Sequence, residues 1–209
     1  PDAWSQRPLW GTNHVVGNVI VEKEAANGDV VVQQGNVGLV RLRRADGRLA
    51  FAAPPSTRSD PEPATLTAAL SAMGVPADAV VRAQELDNGT AWLAVLVADA
   101  EVVLALDPDH SLLRSLPKVG VVGLRPAGDT AAEVRAFAAS VGVPEDPVTG
   151  SLQASVAQWL VASGDLPPRY VAAQGTCIGR AGRVHVDQVG DDMWVGGGTH
   201  TVVDGIIEL

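Results

Sequence analysis

The sequence predicts an α+β fold, on three observations. Short β-branched or alternating runs are separated by hairpin turn signals at Asn27-Gly28, Gly35-Asn36 and Asp46-Gly47. Helical periodicity is confined to three isolated segments. Those segments do not alternate regularly with strands, so each helix is expected to lie against a curled, mainly antiparallel sheet rather than in βαβ crossovers.

The runs at 19–21, 30–33, 38–43 and 49–52 form an antiparallel meander through those turns. Pro54-Pro55 through Pro63 reads as a stiff connector, because each proline fixes φ and lacks an N–H for strand pairing. Over 64–73, Leu66, Leu70 and Met73 recur at helical spacing, and Gly74 and Pro76 close the helix. Strands follow at 80–84 and 91–97, joined by the turn Asp87-Asn88-Gly89-Thr90. A short helix is expected at 108–116, then strands at 120–124 and 132–137. The main helix starts at Thr149 or Gly150. Its Leu152, Val156, Trp159 and Leu160 make one apolar stripe, and Ser163-Gly164 ends it. Strands at 170–173, 183–188, 193–195, 199–203 and 206–209 complete the sheet.

The stretch GVPEDPVTGSLQASVAQWL, residues 142–160, carries the strongest chemical signal. Pro144 and Pro147 bias their neighbours towards extended conformations, which keeps Glu145 and Asp146 in front of the helix. The N–H groups of Gly150 and Ser151 and the positive end of the helix dipole would favour a carboxylate there, with Asp146 close enough to exchange a proton. The structural alternative is that Asp146 and Thr149 are ordinary N-caps.

Composition sets further limits. The 209-residue chain is 46% hydrophobic and 19% charged, enough for a substantial core in one large domain or two lobes. Its longest apolar runs, such as 91–98, fall far short of the roughly 20 residues of a membrane-spanning helix. A net charge of −9 and a pI near 4.8 argue against nucleic acid or an anionic membrane as partner. Arg41, Arg43, Arg44 and Arg48 alternate with Leu42 and Leu49 and read as the wet face of a hairpin. A single cysteine, Cys177, excludes an intramolecular disulfide and fits a reducing, cytoplasmic location; no signal-peptide pattern is present. It reads as a small buried residue rather than a nucleophile. The four histidines show no metal-ligand spacing, so no metal is expected. Gly196-Gly197-Gly198 lacks the Lys-Ser/Thr of a phosphate-binding loop.

Three segments in order, EVRAFAASVGVPEDPVTGS, YVAAQGTCIGRAGRVHV and MWVGGGTHTVVDGIIEL, resemble the second half of the phenazine biosynthesis isomerase-like (PhzF-like) family, relatives of diaminopimelate epimerase. The family signature is E-D-P-x-T-G-S, then Q-G-x-x-x-G-R, then a V-G-G strand. Weaker likeness runs back through NGTAWLAVLVADAEVVLALDPD and GDVVVQQGNVGLVRLRRADGRLAFAAPP. The resemblance implies two similar lobes, each a curled sheet around a helix, with the substrate between them. Residues 1–86, joined by the strand 204–209, would form the first lobe and 87–203 the second. It implies a proton shift on a small carboxylated, amino-acid-like metabolite, without metal or organic cofactor. Asp146 and Ser151 match substrate-contacting positions, Thr149 and Gly150 shape the turn, and Asn88 and Gly89 stand at one wall of the cleft.

DAWSQRPLWG, residues 2–11, resembles the family's first strand, but the S-E-T and G-H-x-T segments that follow it elsewhere in the family are not found here. On the order of sixty residues are involved, a sizeable part of a compact domain. The family's glutamate base therefore has no counterpart to carry over, and Glu145, ahead of Glu22, Glu24 and His14, is the expected substitute. A first lobe without its central helix would expose an apolar face, so a homodimer is expected. Two readings stand: an isomerase-like enzyme using Asp146, Ser151 and Glu145, or a homologue that binds a small acid or a partner subunit without turnover. A chain longer than the one given would restore the first.

Overall fold

The computed structural model describes residues 30–35, 38–45 and 47–200. In chain order the elements are β1 (Val30–Gly35), β2 (Gly38–Ala45), β3 (Arg48–Ala52), β4 (Thr57–Ser59), α1 (Pro63–Met73), β5 (Val80–Asp87), β6 (Ala91–Val97), α2 (Ala100–Leu104), α3 (His110–Leu113), β7 (Val119–Leu124), β8 (Ala132–Phe137), α4 (Gly150–Ala162), β9 (Arg169–Gln174), β10 (Gly182–Val189) and β11 (Asp192–Gly197). Among the described residues the strands make one sheet, in the order β1-β2-β3-β11-β10-β9-β8-β7-β6-β5-β4.

The sheet curls around α4. This helix packs against β11 and also against β5 and β6. In a flat sheet, six strand steps would separate β5 from β11 by about 29 Å, well beyond a helix of about 10 Å diameter, so only a curled sheet lets both touch it. Leu152, Val156, Trp159 and Leu160 of α4 are buried against Trp92 of β6, Val122 of β7, Val134 of β8, Ala172 of β9, Val184 of β10 and Val195 of β11. Strand alternation sends the intervening residues outward. Leu93, Val95, Val119, Val121 and Phe137 there meet Ala69 and Met73 of α1 and Val103 of α2 in a second core.

Several expectations need correction. Two strand pairs are parallel, β6 with β7 and β8 with β9, and a parallel step requires a crossover. Helices α2 and α3 make the first and α4 the second, so crossovers are present within the α+β fold. The proline-bounded connector contains a three-residue edge strand, β4, paired with β5. Helix α2 was not expected; Asp99 caps it, accepting from the N–H groups of Glu101 and Val102. The helix expected over 108–116 is the four-residue α3. His200 and Thr199 lie outside any strand, while 19–21 and 201–209 lie outside the described residues. The β5–β6 hairpin carries the sheet across residues 86 and 87.

Candidate active site

The site is built at the start of α4. Asp146 is tied to β8 by its N–H, which donates to the Ala136 carbonyl at 2.9 Å. Behind it, Gly175 takes φ 86°, and a Cβ there would stand 2.8 Å from the Pro147 carbonyl oxygen, so only glycine allows this approach. Thr149 occupies the N-cap position in an extended conformation but makes no side-chain cap. Its hydroxyl instead donates to Asp146 Oδ2 at 2.6 Å. In contrast, Glu62, Asp99 and Asp109 each cap their helix with a carboxylate. Among the described residues no side chain caps the start of α4, which keeps the positive end of its dipole and its first-turn N–H groups.

A buried amide pair supports this turn. Gln174, from β9, donates through Nε2 to the Asp146 carbonyl at 2.9 Å and to Thr149 Oγ1 at 2.8 Å. Its Oε1 accepts from the Thr149 N–H at 3.2 Å and from Gln153 Nε2 at 2.9 Å. Thr149, Gln153 and Gln174 are fully buried and Asp146 is 2% exposed. Ser151, two residues into the turn, accepts from Trp92 Nε1 at 3.0 Å through its hydroxyl. Its carbonyl accepts from Asn88 Nδ2 at 2.9 Å. Gly89, at φ 96°, reverses the chain beside Asn88, and its N–H donates to Asp87 Oδ1. The Lys118 ammonium lies 5.2 Å from the Trp92 ring centre, and partial burial lowers its pKa despite the nearby Asp87.

Asp146, Thr149 and Gly150 thus meet at one helix end, with Ser151 and Asn88 beside them; Glu145 does not join them. Both Glu145 oxygens accept from Arg135, at 3.0 Å from Nε and 2.8 Å from Nη2. Arg135 also donates to the Leu106 carbonyl and lies against Phe137, on the α2 side of β8. Burial disfavours the Arg135 charge, but Glu145 outweighs it and raises the guanidinium pKa. Adjacency in sequence therefore does not give Glu145 and Asp146 the same partners: Glu145 turns to Arg135, and Asp146 accepts from Thr149. Glu22, Glu24 and His14 lie outside the described residues. Cys177 is exposed rather than buried, in a 3₁₀ turn over Thr176–Ile178. Partial desolvation, with Glu145 and Glu133 nearby, outweighs Arg135 and raises its thiol pKa, which disfavours the nucleophilic thiolate.

Sequence reasoning missed Gln153, Gln174, Trp92 and Arg135. Gln174 opens the Q-G-x-x-x-G-R segment, so its position was marked, but nothing in its type indicated three bonds to the turn and a fourth to Gln153. Among the described residues, no group of three or more His, Cys, Asp or Glu side chains could hold a metal ion. No described helix is long and apolar enough to cross a membrane.

A family model described as phenazine biosynthesis-like protein matches residues 11–205. A protein described as an uncharacterized isomerase from Deinococcus radiodurans is 37% identical over 106 residues, 46% of this chain and 34% of that protein. Another so described, from Pseudomonas aeruginosa, is 32% identical over 174 residues, 82% of this chain and 62% of that protein. The chain therefore spans between one third and just under two thirds of these relatives. Among solved structures, a PhzF-family phenazine biosynthesis protein from Bacillus anthracis superposes with a TM-score of 0.67 at 16% identity, over 82% of this chain and 66% of that one. A hydroxyproline epimerase from Agrobacterium vitis, with bound trans-4-hydroxy-L-proline, gives a TM-score of 0.50 at 15% identity, over 81% of this chain and 57% of that one. These structural likenesses support the α+β fold with a curled sheet.

Proposed function

Because the chain belongs to the phenazine biosynthesis-like protein family, we propose that it is a cofactor-independent isomerase that moves a proton on carbon in a small carboxylated, amino-acid-like metabolite. The observation that carries this reading is a buried carboxylate, Asp146, held by Thr149 beside a helix start that no described side chain caps.

The substrate carboxylate sits at the Gly150 and Ser151 N–H groups, where the helix dipole favours negative charge. Removal of a proton from the carbon next to that carboxylate pushes charge onto its oxygens, and fixed N–H donors stabilise the developing charge. Asp146 exchanges that proton as general acid or base. Asn88 and Trp92 hold Ser151 in place through its carbonyl and hydroxyl, and so orient the first helical turn. The described relatives' isomerase names and the epimerase fold support the reaction class.

The test is incorporation of solvent deuterium into candidate acids, read by proton NMR. Asp146→Asn is expected to slow incorporation by about 10²- to 10⁴-fold, the usual contribution of one acid–base group. Dialysis against EDTA is expected to leave the rate unchanged. A rate unaffected by Asp146→Asn would refute the assignment.

A further inference from the structure

Lys118 stands where β7 begins, on the side of the sheet that holds α4. A Cβ at Gly120, two residues on, would meet Leu152 of α4, and Val122, two further, lies in the core around α4. Parallel pairing of β6 with β7 sets Leu93 beside Val119, and the Leu93 N–H donates to the Lys118 carbonyl at 2.8 Å, so Lys118 is the lateral neighbour of Trp92. Its ammonium lies 5.2 Å from the centre of the Trp92 ring, and the indole N–H of that ring donates to the Ser151 hydroxyl at 3.0 Å. A half-buried cation and the first turn of α4 therefore contact the same indole, and a short carbon chain spans the gap between them. Among the described residues no hydrogen bond or ion pair holds the ammonium, although it carries three donors. Asp87 acts on it only at a distance, and Asp87 Oδ1 already accepts from the Gly89 N–H. Partial desolvation disfavours the Lys118 charge, and an anion brought to it would relieve that cost.

We propose that Lys118 is a substrate-binding residue that selects acids with a second carboxylate: one carboxylate sits at the Gly150 and Ser151 N–H groups, and the other lies against the Lys118 ammonium. The inference rests on the carboxylate site at the start of α4, and it narrows the substrate class of that site from carboxylated metabolites to diacids. An ammonium donates to a carboxylate in a charge-assisted hydrogen bond, roughly twice as strong as a neutral one. Asp146 and, through its neighbour Asn88, Asp87 both lie near the first turn of α4. A second anionic group there needs a cation beside it to offset them, and Lys118 supplies one.

The experiment titrates glutarate, and pentanoate as its single-acid counterpart, into the full chain. Amide NMR follows Gly150 and Ser151, and carbon-13-labelled lysine follows Lys118 at its ε-carbon, with Lys23 as the internal control because the chain has no other lysine. Glutarate is expected to move the two amides and the Lys118 signal together, and pentanoate the amides alone. Lys118→Met is expected to weaken glutarate binding about tenfold, the order of one hydrogen bond to a charged group, and to leave pentanoate binding unchanged. Lys118→Arg keeps the cation and is expected to retain the preference for glutarate. Amide spectra establish that each variant is folded; should Lys118→Met not fold, Lys118→Gln and the wild-type lysine signal decide by the same outcomes. A Lys118 signal unmoved while glutarate shifts the amides, or equal losses for both acids in Lys118→Met, would overturn the proposal and leave the lysine to the Trp92 ring alone. Amides that respond to neither acid would refute the carboxylate site itself, and the inference with it, so the two failures are told apart.

Discussion

Thr149 stands where a threonine ordinarily caps a helix, yet its hydroxyl is spent on Asp146. The E-D-P-x-T-G-S segment was legible in the sequence as a turn leading into a helix. Which side chain would bond which was not, because Asp and Thr types suit either a cap or a hydroxyl–carboxylate pair. The same limit applies to Glu145, whose partner Arg135 stands on another strand. Arg135→Met is expected to destabilise the fold by about 3–5 kcal/mol, since it strands a buried carboxylate; urea unfolding measures it. Ser151→Ala removes the acceptor of the buried Trp92 indole and is expected to cost about 1–3 kcal/mol by the same method.

At the scale of elements, α4 was the most legible feature, because its stripe residues are the ones that fill the curled sheet. Leu152 is fully buried and sits so close to β7 that a Cβ at Gly120 would meet its side chain at 2.5 Å. Leu152→Ala is expected to cost about 2–5 kcal/mol, the range for a cavity at a site with little room to collapse. Helix α2 was illegible for a physical reason: at five residues it is too short to show a period and depends on its Asp99 cap and on packing against β7 and β8. The parallel pairings were equally hidden, since strand direction is set by the helix crossing behind β6 and β8, not by residue types within the strands.

Four strands are tied together on the outer side of the sheet. Asp187 of β10 accepts from Arg169 of β9 and from Arg43 of β2, and Arg43 lies 4.3 Å from the ring centre of Trp194 in β11. Arg169, aided by Arg43 and opposed by partial desolvation, lowers the Asp187 pKa below its ordinary 3.8. The folded state binds this proton less readily than the unfolded one, so the stabilisation is complete above pH 3.8 and is lost as pH falls through the lower folded value. Asp187→Asn is expected to be less stable than wild type at pH 7 by up to about 1 kcal/mol. That difference should shrink below pH 3.8, as denaturant unfolding across pH would show.

At the scale of the molecule, the described residues of this acidic chain form one sheet with two cores, one inside the curl around α4 and one beneath α1, α2 and α3. The candidate site lies where the inner core reaches the start of α4, and the outer core holds Arg135 and Glu145 away from it. The fold class was legible because turn signals and helical periods are local. Curling, crossovers and the separation of Glu145 from Asp146 depend on contacts between distant segments, which periodicity does not encode. The most direct measurement is deuterium incorporation from heavy water into a panel of amino-acid-like and cyclohexadiene carboxylic acids, with wild type and Asp146→Asn run side by side. The account predicts incorporation at carbon by wild type and a loss of at least about a hundredfold in the variant. Binding of a panel acid without incorporation, or equal rates in the two proteins, would contradict it.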